Sequence, residues 1–238
     1  MRKYILIIAA IFIVGMVGGI FAEHIFWPYF VERPLFYQYG LDNPPVYISE
    51  QKQITIQENT AVIEAAEMVG PAMVALRTQT KAGIFLEGSG LIITSDGLMV
   101  TLAELVPQDS VSVFFVEGGK EKFQILKRDW KNNLALVKIE KSNLKTVSFA
   151  NQGELKLGER VFLVGMVFDG QEPDKIVNEG IVRFFDEELI QTNIVEKHTL
   201  AGSSLFNVKG ELLGLNTVDS EKIITAIPVS KIKEFAGL

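Results

Sequence analysis

Of the side chains that most often serve as catalytic base or nucleophile, the sequence holds two histidines and no cysteine, and one of the histidines falls in a single stretch with two serines. Between Leu189 and Asn207 the chain reads Leu-Ile-Gln-Thr-Asn-Ile-Val-Glu-Lys-His-Thr-Leu-Ala-Gly-Ser-Ser-Leu-Phe-Asn. His198 lies five residues before Ser203 and six before Ser204. A serine hydroxyl becomes a useful nucleophile when an oriented base takes its proton. Other chemistries are excluded. The chain has no cysteine, so disulfides, zinc thiolates and a thiol nucleophile are ruled out. Its two histidines, His24 and His198, cannot make a histidine-rich metal site. Gly88 and Gly90 lack the third glycine and the following helix of a dinucleotide fingerprint, and no phosphate-binding loop is present. The net charge is −6, with no basic cluster of the kind nucleic acid requires.

The elements that must position these residues are short strands. Leu189, Ile190 and Thr192 are strand formers; an irregular loop follows, and a second strand starts near Leu205 and Phe206. Lys209-Gly210 makes a turn into a further strand, Leu212 to Val218. Upstream, the pattern predicts strands at 73–78, 83–86, 90–94, 98–102, 111–116, 122–127 and 134–139, with turns at Asp96-Gly97 and Gly118-Gly119. Strands at 160–167, 176–184, 188–192, 204–208, 212–218 and 222–227 form a second set, followed by a short helix from Val229 to Phe235. Many short strands without long helices between them predict a barrel or a sandwich. Thr60 is placed to cap a short helix carrying Val62, Ala65, Met68 and Val69, closed by Gly70-Pro71. With 238 residues, 48% of them hydrophobic, the chain can fill one large all-β domain or two small ones.

Tyr4 to Ala22 is an uncharged, apolar run of 19 residues. As a helix it would span roughly 28 Å, close to the thickness of a bilayer's hydrocarbon core. Arg2 and Lys3 precede it and Glu23 follows, so the positive-inside rule places residues 1–3 in the cytoplasm and the bulk of the chain outside. The run exceeds a signal peptide's apolar core, so a retained anchor over residues 4–22 is expected, with a cleaved signal as the alternative. Residues 23–59 form a juxtamembrane linker. It is crowded with aromatics from Phe26 to Tyr47, which suit an interfacial belt, and is interrupted by Pro28, Pro34, Pro44 and Pro45.

Several motifs, in order and spacing, resemble the protease domain of the HtrA (Deg) family of trypsin-like serine proteases. They are Gly88-Ser89-Gly90-Leu91-Ile92-Ile93 followed by Asp96-Gly97, then Leu134 to Ile139, Leu155 to Gly165, and Thr225-Ala226-Ile227-Pro228-Val229. The run Ala61 to Leu76 resembles the family's first helix and strand. Ile190-Gln191-Thr192-Asn193 resembles the strand leading to its active-site loop. The resemblance covers residues 60–238. It implies an all-β, trypsin-like double β-barrel, of two six-stranded barrels at about 60–145 and 146–238, with a short N-terminal and a C-terminal helix, preceded by the transmembrane helix. It further implies an extended peptide or unfolded protein in the cleft, and trimerisation through the aromatic segment Phe26–Tyr47, as a homotrimer or mixed with active relatives. No PDZ domain is expected before the end at Leu238.

The family's chemistry is not carried over. Peptide hydrolysis there needs a serine, a histidine and an aspartate. In Val100-Thr101-Leu102-Ala103-Glu104-Leu105-Val106 the histidine position is Glu104, the aspartate position is Asn133, and the serine position is Ala201. The former oxyanion-hole loop is Thr199, Leu200, Ala201 and Gly202. Thr199 replaces a glycine, and a β-branched residue suits a glycine-type backbone poorly. Loss of a triad member alone lowers turnover by about 10⁴ to 10⁶. The expectation is therefore an inactive, membrane-anchored homologue that binds peptides or partners, with no catalytic residue, cofactor or metal and no nucleic acid. The alternatives are an endopeptidase rebuilt on Ser203 or Ser204 with His198 and Glu104, and a structural envelope protein.

Overall fold

The computed structural model describes residues 2–24, 51–219 and 221–238. The aromatic segment expected to mediate membrane contact or trimerisation lies outside the described residues. Two compact units are present, Met1–Lys52 and Gln53–Leu238. In the first, helix α1 spans Arg2–Phe21. Its apolar side chains, Tyr4, Ile8, Phe12 and Val14 among them, are exposed. The helical stretch Lys3–His24 is long and apolar enough to cross a membrane.

The second unit opens with helix α2, Gln51–Val69. Thr60 lies inside this helix, not at its N-terminus, so the capping role expected from the sequence is corrected. Preceding residues rich in good helix formers, including Gln51, Lys52, Gln53 and Glu58, extend it upstream. Val62, Ala65, Ala66 and Val69 form its buried face.

Seven strands follow: β1 (Met73–Gln79), β2 (Phe85–Ile92), β3 (Leu98–Leu102), β4 (Val111–Val116), β5 (Gly119–Glu121), β6 (Phe123–Asp129) and β7 (Leu134–Ile139). They form one sheet in the order β5-β4-β1-β2-β3-β7-β6. Ladder hydrogen bonds do not join its edge strands β5 and β6. Those two strands are consecutive in the chain, separated by Lys122, and the sheet curls until Phe114 of β4 and Phe123 of β6 lie 4.4 Å apart. The first barrel is thus a half-barrel closed by packing. Strands β8 (Ser148–Phe149), β9 (Arg160–Asp169), β10 (Glu172–Phe185), β11 (Ile190–Val195), β12 (Ser204–Asn207), β13 (Glu211–Val218) and β14 (Ile223–Pro228) build the second. Here β12-β9-β10-β11-β14-β13 close on themselves through the β12–β13 pairing, giving a true six-stranded barrel. Closure removes the exposed edges that an open sheet would present. Helix α3, Val229–Ala236, buries Val229, Ile232 and Phe235. The expected double barrel is the fold observed.

The strands expected at 83–86 and 90–94 are one continuous strand, β2, with Gly88 and Gly90 inside it. A β-carbon on Gly88 would come within 2.5 Å of the Ala201 carbonyl oxygen, so this strand stays bare where another backbone crosses it. Between Gly88 and Gly90, the buried Ser89 joins the two barrels. Its N–H donates to the Ala201 carbonyl at 2.9 Å. Its hydroxyl accepts from the Met166 N–H of β9 at 2.8 Å, and its carbonyl accepts from the Thr101 hydroxyl at 2.7 Å.

A Ser89→Ala variant leaves the partly buried Met166 N–H without this partner. Urea unfolding should show a loss of about 1–3 kcal/mol; an unchanged midpoint would mean that the junction is held elsewhere.

Candidate functional site

The junction between the barrels carries a cleft of about 380 Å³ lined by Phe85, Leu86, Glu87, Glu104, Leu105, His198, Thr199, Ala201 and Val218. Four residues singled out in the sequence therefore meet in one place: Glu104, His198, Thr199 and Ala201. A second cavity of about 350 Å³ shares Thr199 and is walled by Val167, Phe168, Asp169, Ile176, Glu196, Lys197 and Leu200.

Glu104 sits in a 3₁₀ turn, Ala103–Leu105, which follows β3 directly. Asn133 fixes that turn from the β6–β7 loop. Its side-chain oxygen accepts the Glu104 N–H at 3.1 Å, and its main-chain carbonyl accepts the Ala103 N–H at 3.1 Å. Asn133 itself has φ of 53°, a left-handed conformation that asparagine tolerates better than most residues. The loop beneath it is tied by Asp129. One carboxylate oxygen accepts from the Lys131 N–H at 2.9 Å and the Asn132 N–H at 3.2 Å, and the other accepts from the Asn132 side-chain amide at 2.6 Å. These bonds, the Asn132 side chain first, hold the Asp129 carboxyl below its ordinary range. Asn133 acts here as a backbone clamp. The Glu104 side chain is exposed and lines the cleft.

The former nucleophile loop is wound up. His198–Leu200 is a 3₁₀ turn. The Leu200 N–H donates to the Lys197 carbonyl, and the Ala201 N–H donates to the His198 carbonyl, each at 3.0 Å. Thr199 has no positive φ. Its β-branched side chain disfavours the left-handed region that a glycine would occupy freely, and the helical turn is the local alternative. The N–H that could have faced a substrate oxygen is consumed inside the turn. Gly202 keeps φ of +77° because a β-carbon there would lie 2.2 Å from the Ser89 carbonyl oxygen. Its N–H donates to the Asn216 carbonyl at 2.8 Å.

Ser203 and Ser204 face away from solvent. Both are fully buried, whereas His198 is exposed. The Ser203 hydroxyl accepts from the Asn216 side-chain amide at 3.0 Å. The Ser204 hydroxyl and the Asn216 side-chain oxygen are buried and unpartnered among the described residues. Leu200 is core, packed with Leu163 and Leu205. No group of three or more histidine, aspartate or glutamate side chains suited to a metal occurs among the described residues.

Three contributors escaped the sequence reading. Ser89 and Asn216 are ordinary polar residues in apolar strands, with no local signal of their roles. Arg77 pairs with Glu87 at 2.7 Å, stacks 4.1 Å from the Phe168 ring, and donates to the Gly170 carbonyl at 2.8 Å. It clasps the β9–β10 hairpin to the first barrel across 93 residues of chain.

Comparison with known proteins agrees with this geometry. The family model for the trypsin-like peptidase domain matches residues 88–215. Serine protease HTRA1A of Danio rerio is 30% identical over 195 residues, covering 73% of this chain and 40% of the relative. A probable periplasmic serine endoprotease, DegP-like, of Halomonas elongata is 31% identical over 139 residues, covering 55% of this chain and 29% of the relative. The chain thus spans less than half the length of these relatives.

The Asp129–Asn133 loop yields two expectations. Asn133→Ala removes the acceptor for the Glu104 N–H and strains the left-handed position, so unfolding should show a loss of about 1–3 kcal/mol, while Asn133→Asp stays near wild type. Because folding lowers the Asp129 pKa, its stabilisation is complete above the unfolded carboxylate range, near pH 4, and is lost as pH falls through the lower folded value. Asp129→Asn should therefore flatten part of the acid limb of stability measured by urea unfolding. An acid limb identical to wild type would count against this.

Proposed function

This chain belongs to the trypsin-like peptidase family, with an HtrA-type protease domain, and we propose that it is a member without catalytic competence. It is anchored in a membrane by residues 4–22, keeps residues 1–3 in the cytoplasm, and presents the double barrel outside. There it binds extended peptides or protein partners, alone or in a trimer with copies of itself or active relatives. The observation that carries the reading is at Ala201: the residue offers no nucleophile, and its N–H is already donated to His198 at 3.0 Å. A serine protease needs an oriented serine and histidine together with N–H donors aimed at the developing oxyanion. Glu104 and Asn133 supply neither base nor orienter, and Asn133 is engaged on backbone. Relocation to Ser203 or Ser204 is opposed by their burial and by His198 lying in solvent.

Binding is supported by the cleft and by the edge of β13. On the side of β12 the register of β13 ends at Ser204 opposite Leu215. Asn216 exchanges its N–H and carbonyl with Ser203 and Gly202 on that side. Because backbone groups alternate sides along a strand, Val218 turns its N–H and carbonyl to the same side, at the rim of the cleft. An extended peptide can add there as a strand, its side chains meeting Phe85, Leu86 and Leu105.

Full-length protein in detergent, shown to be folded, should not react with a fluorophosphonate probe and should not cleave casein. Labelling abolished by Ser203→Ala or Ser204→Ala would overturn the reading. Rebuilding the triad alone, as Glu104→His, Asn133→Asp and Ala201→Ser, should leave activity about 10²–10³-fold below the same variant with Thr199→Gly added. Equal activities would mean that the wound-up turn is no obstacle.

A further inference from the structure

We infer that Glu104 makes the cleft selective for extended peptides bearing a lysine or arginine side chain over the Ala201 position. The inference rests on the peptide-binding reading above and adds the class of ligand. Glu104 has no ion pair among the described residues. The turn that carries it is nevertheless pinned by Asn133, whose side-chain oxygen accepts the Glu104 N–H and whose carbonyl accepts the Ala103 N–H. The other carboxylate on the wall, Glu87, is already paired with Arg77 at 2.7 Å. Among the described residues no lysine or arginine lines this cleft, and its remaining walls are Phe85, Leu86, Leu105, Ala201 and Val218 beside Thr199 and His198. Lys197 belongs to the neighbouring cavity.

Two independent features point to the same charge. A carboxylate stands at the rim without a cation of its own. The Ala201 N–H, a donor that would favour negative charge in the cleft, is turned into the 198–200 turn. Apolar walls lower the local dielectric and strengthen the attraction for an incoming cation. A lysine or arginine stem can lie along Leu105 and Ala201 while its head reaches Glu104. An extended strand can slide by two residues without exchanging its faces, so a single basic residue selects the register.

The test uses three capped heptapeptides that differ only at the central residue, which is lysine, glutamine or glutamate, with valines on either side. Fluorescence anisotropy with folded, full-length protein in detergent should rank lysine tightest by about 3- to 10-fold over glutamine, with glutamate weakest. The preference should shrink at high salt and vanish in Glu104→Gln. Equal affinities, or a lysine preference that survives in Glu104→Gln, would overturn the inference while leaving peptide binding intact. Lysine binding that persists in Ala201→Trp, with the cleft filled, would also overturn it. Failure of all three peptides to bind would instead sink the peptide-binding reading, and this inference with it.

Discussion

The structure depends on one crossing of backbones at Ser89. A residue of the first half-barrel hands its N–H to the Ala201 carbonyl and uses its hydroxyl on Met166 of the second barrel. Ala201 is buried and Met166 partly buried, so these bonds satisfy polar groups that have little access to water. The contact is too close for side chains, which is why Gly88 and Gly202 flank it. Everything that lines the cleft hangs from this crossing: β3 and the Glu104 turn on one side, the 198–200 turn and the end of β13 on the other.

This dependence explains how the fold holds with Glu104, Asn133 and Ala201 at these positions. None of the residues at Glu104, Asn133 or Ala201 is needed as an acid, base or nucleophile to hold the junction. The Ala201 carbonyl carries the contact with Ser89, and any residue possesses a carbonyl. Asn133 contributes through a side-chain oxygen and a left-handed backbone, both of which asparagine supplies. Core packing is equally indifferent. Phe162 and Phe206 stack 5.5 Å apart behind the junction and share one hydrophobic cluster with Leu102, Leu105 and Ala201. Side chains selected for reactivity occupy the surface of the crossing, while those that stabilise it lie beneath.

The strands were legible because they are short apolar runs between turn signals, and the motif order identified the double barrel. The places where the sequence misled are places where a partner distant in sequence decides. Residues 87–89 read as a gap between two strands, yet β2 runs through them, with Ala201 against Gly88 and Met99 against Gly90 so closely that a β-carbon has no room. Thr60 read as a cap, but a helix long enough to include it forms upstream. Six closed strands were expected in each half; the first sheet meets only by packing across Lys122. At the site, Glu104, Thr199 and Ala201 were found by position in a motif, and Thr199 correctly signalled a changed loop. The direction of the change, an N–H folded back onto His198, required three-dimensional hydrogen bonds. The Arg77 clasp on Phe168 and Gly170 had no sequence signature at all.

The substitutions at the cleft relocate a negative charge. A site that hydrolyses peptides stabilises negative charge on a substrate oxygen, with N–H groups pointing inward and a histidine that becomes positive during the reaction. In this chain the Ala201 N–H points into its own turn, the histidine position is a carboxylate, the aspartate position is a neutral asparagine, and Arg77, the partner of Glu87 on the wall, is also held on Phe168 and Gly170. The three positions hold one carboxylate in either pattern, but its place differs: Asn133 holds the turn through neutral hydrogen bonds, and Glu104 carries the carboxylate on the cleft side of that turn. The negative charge therefore lines the cleft directly among apolar walls, which is the feature on which the proposed preference for a basic peptide side chain rests.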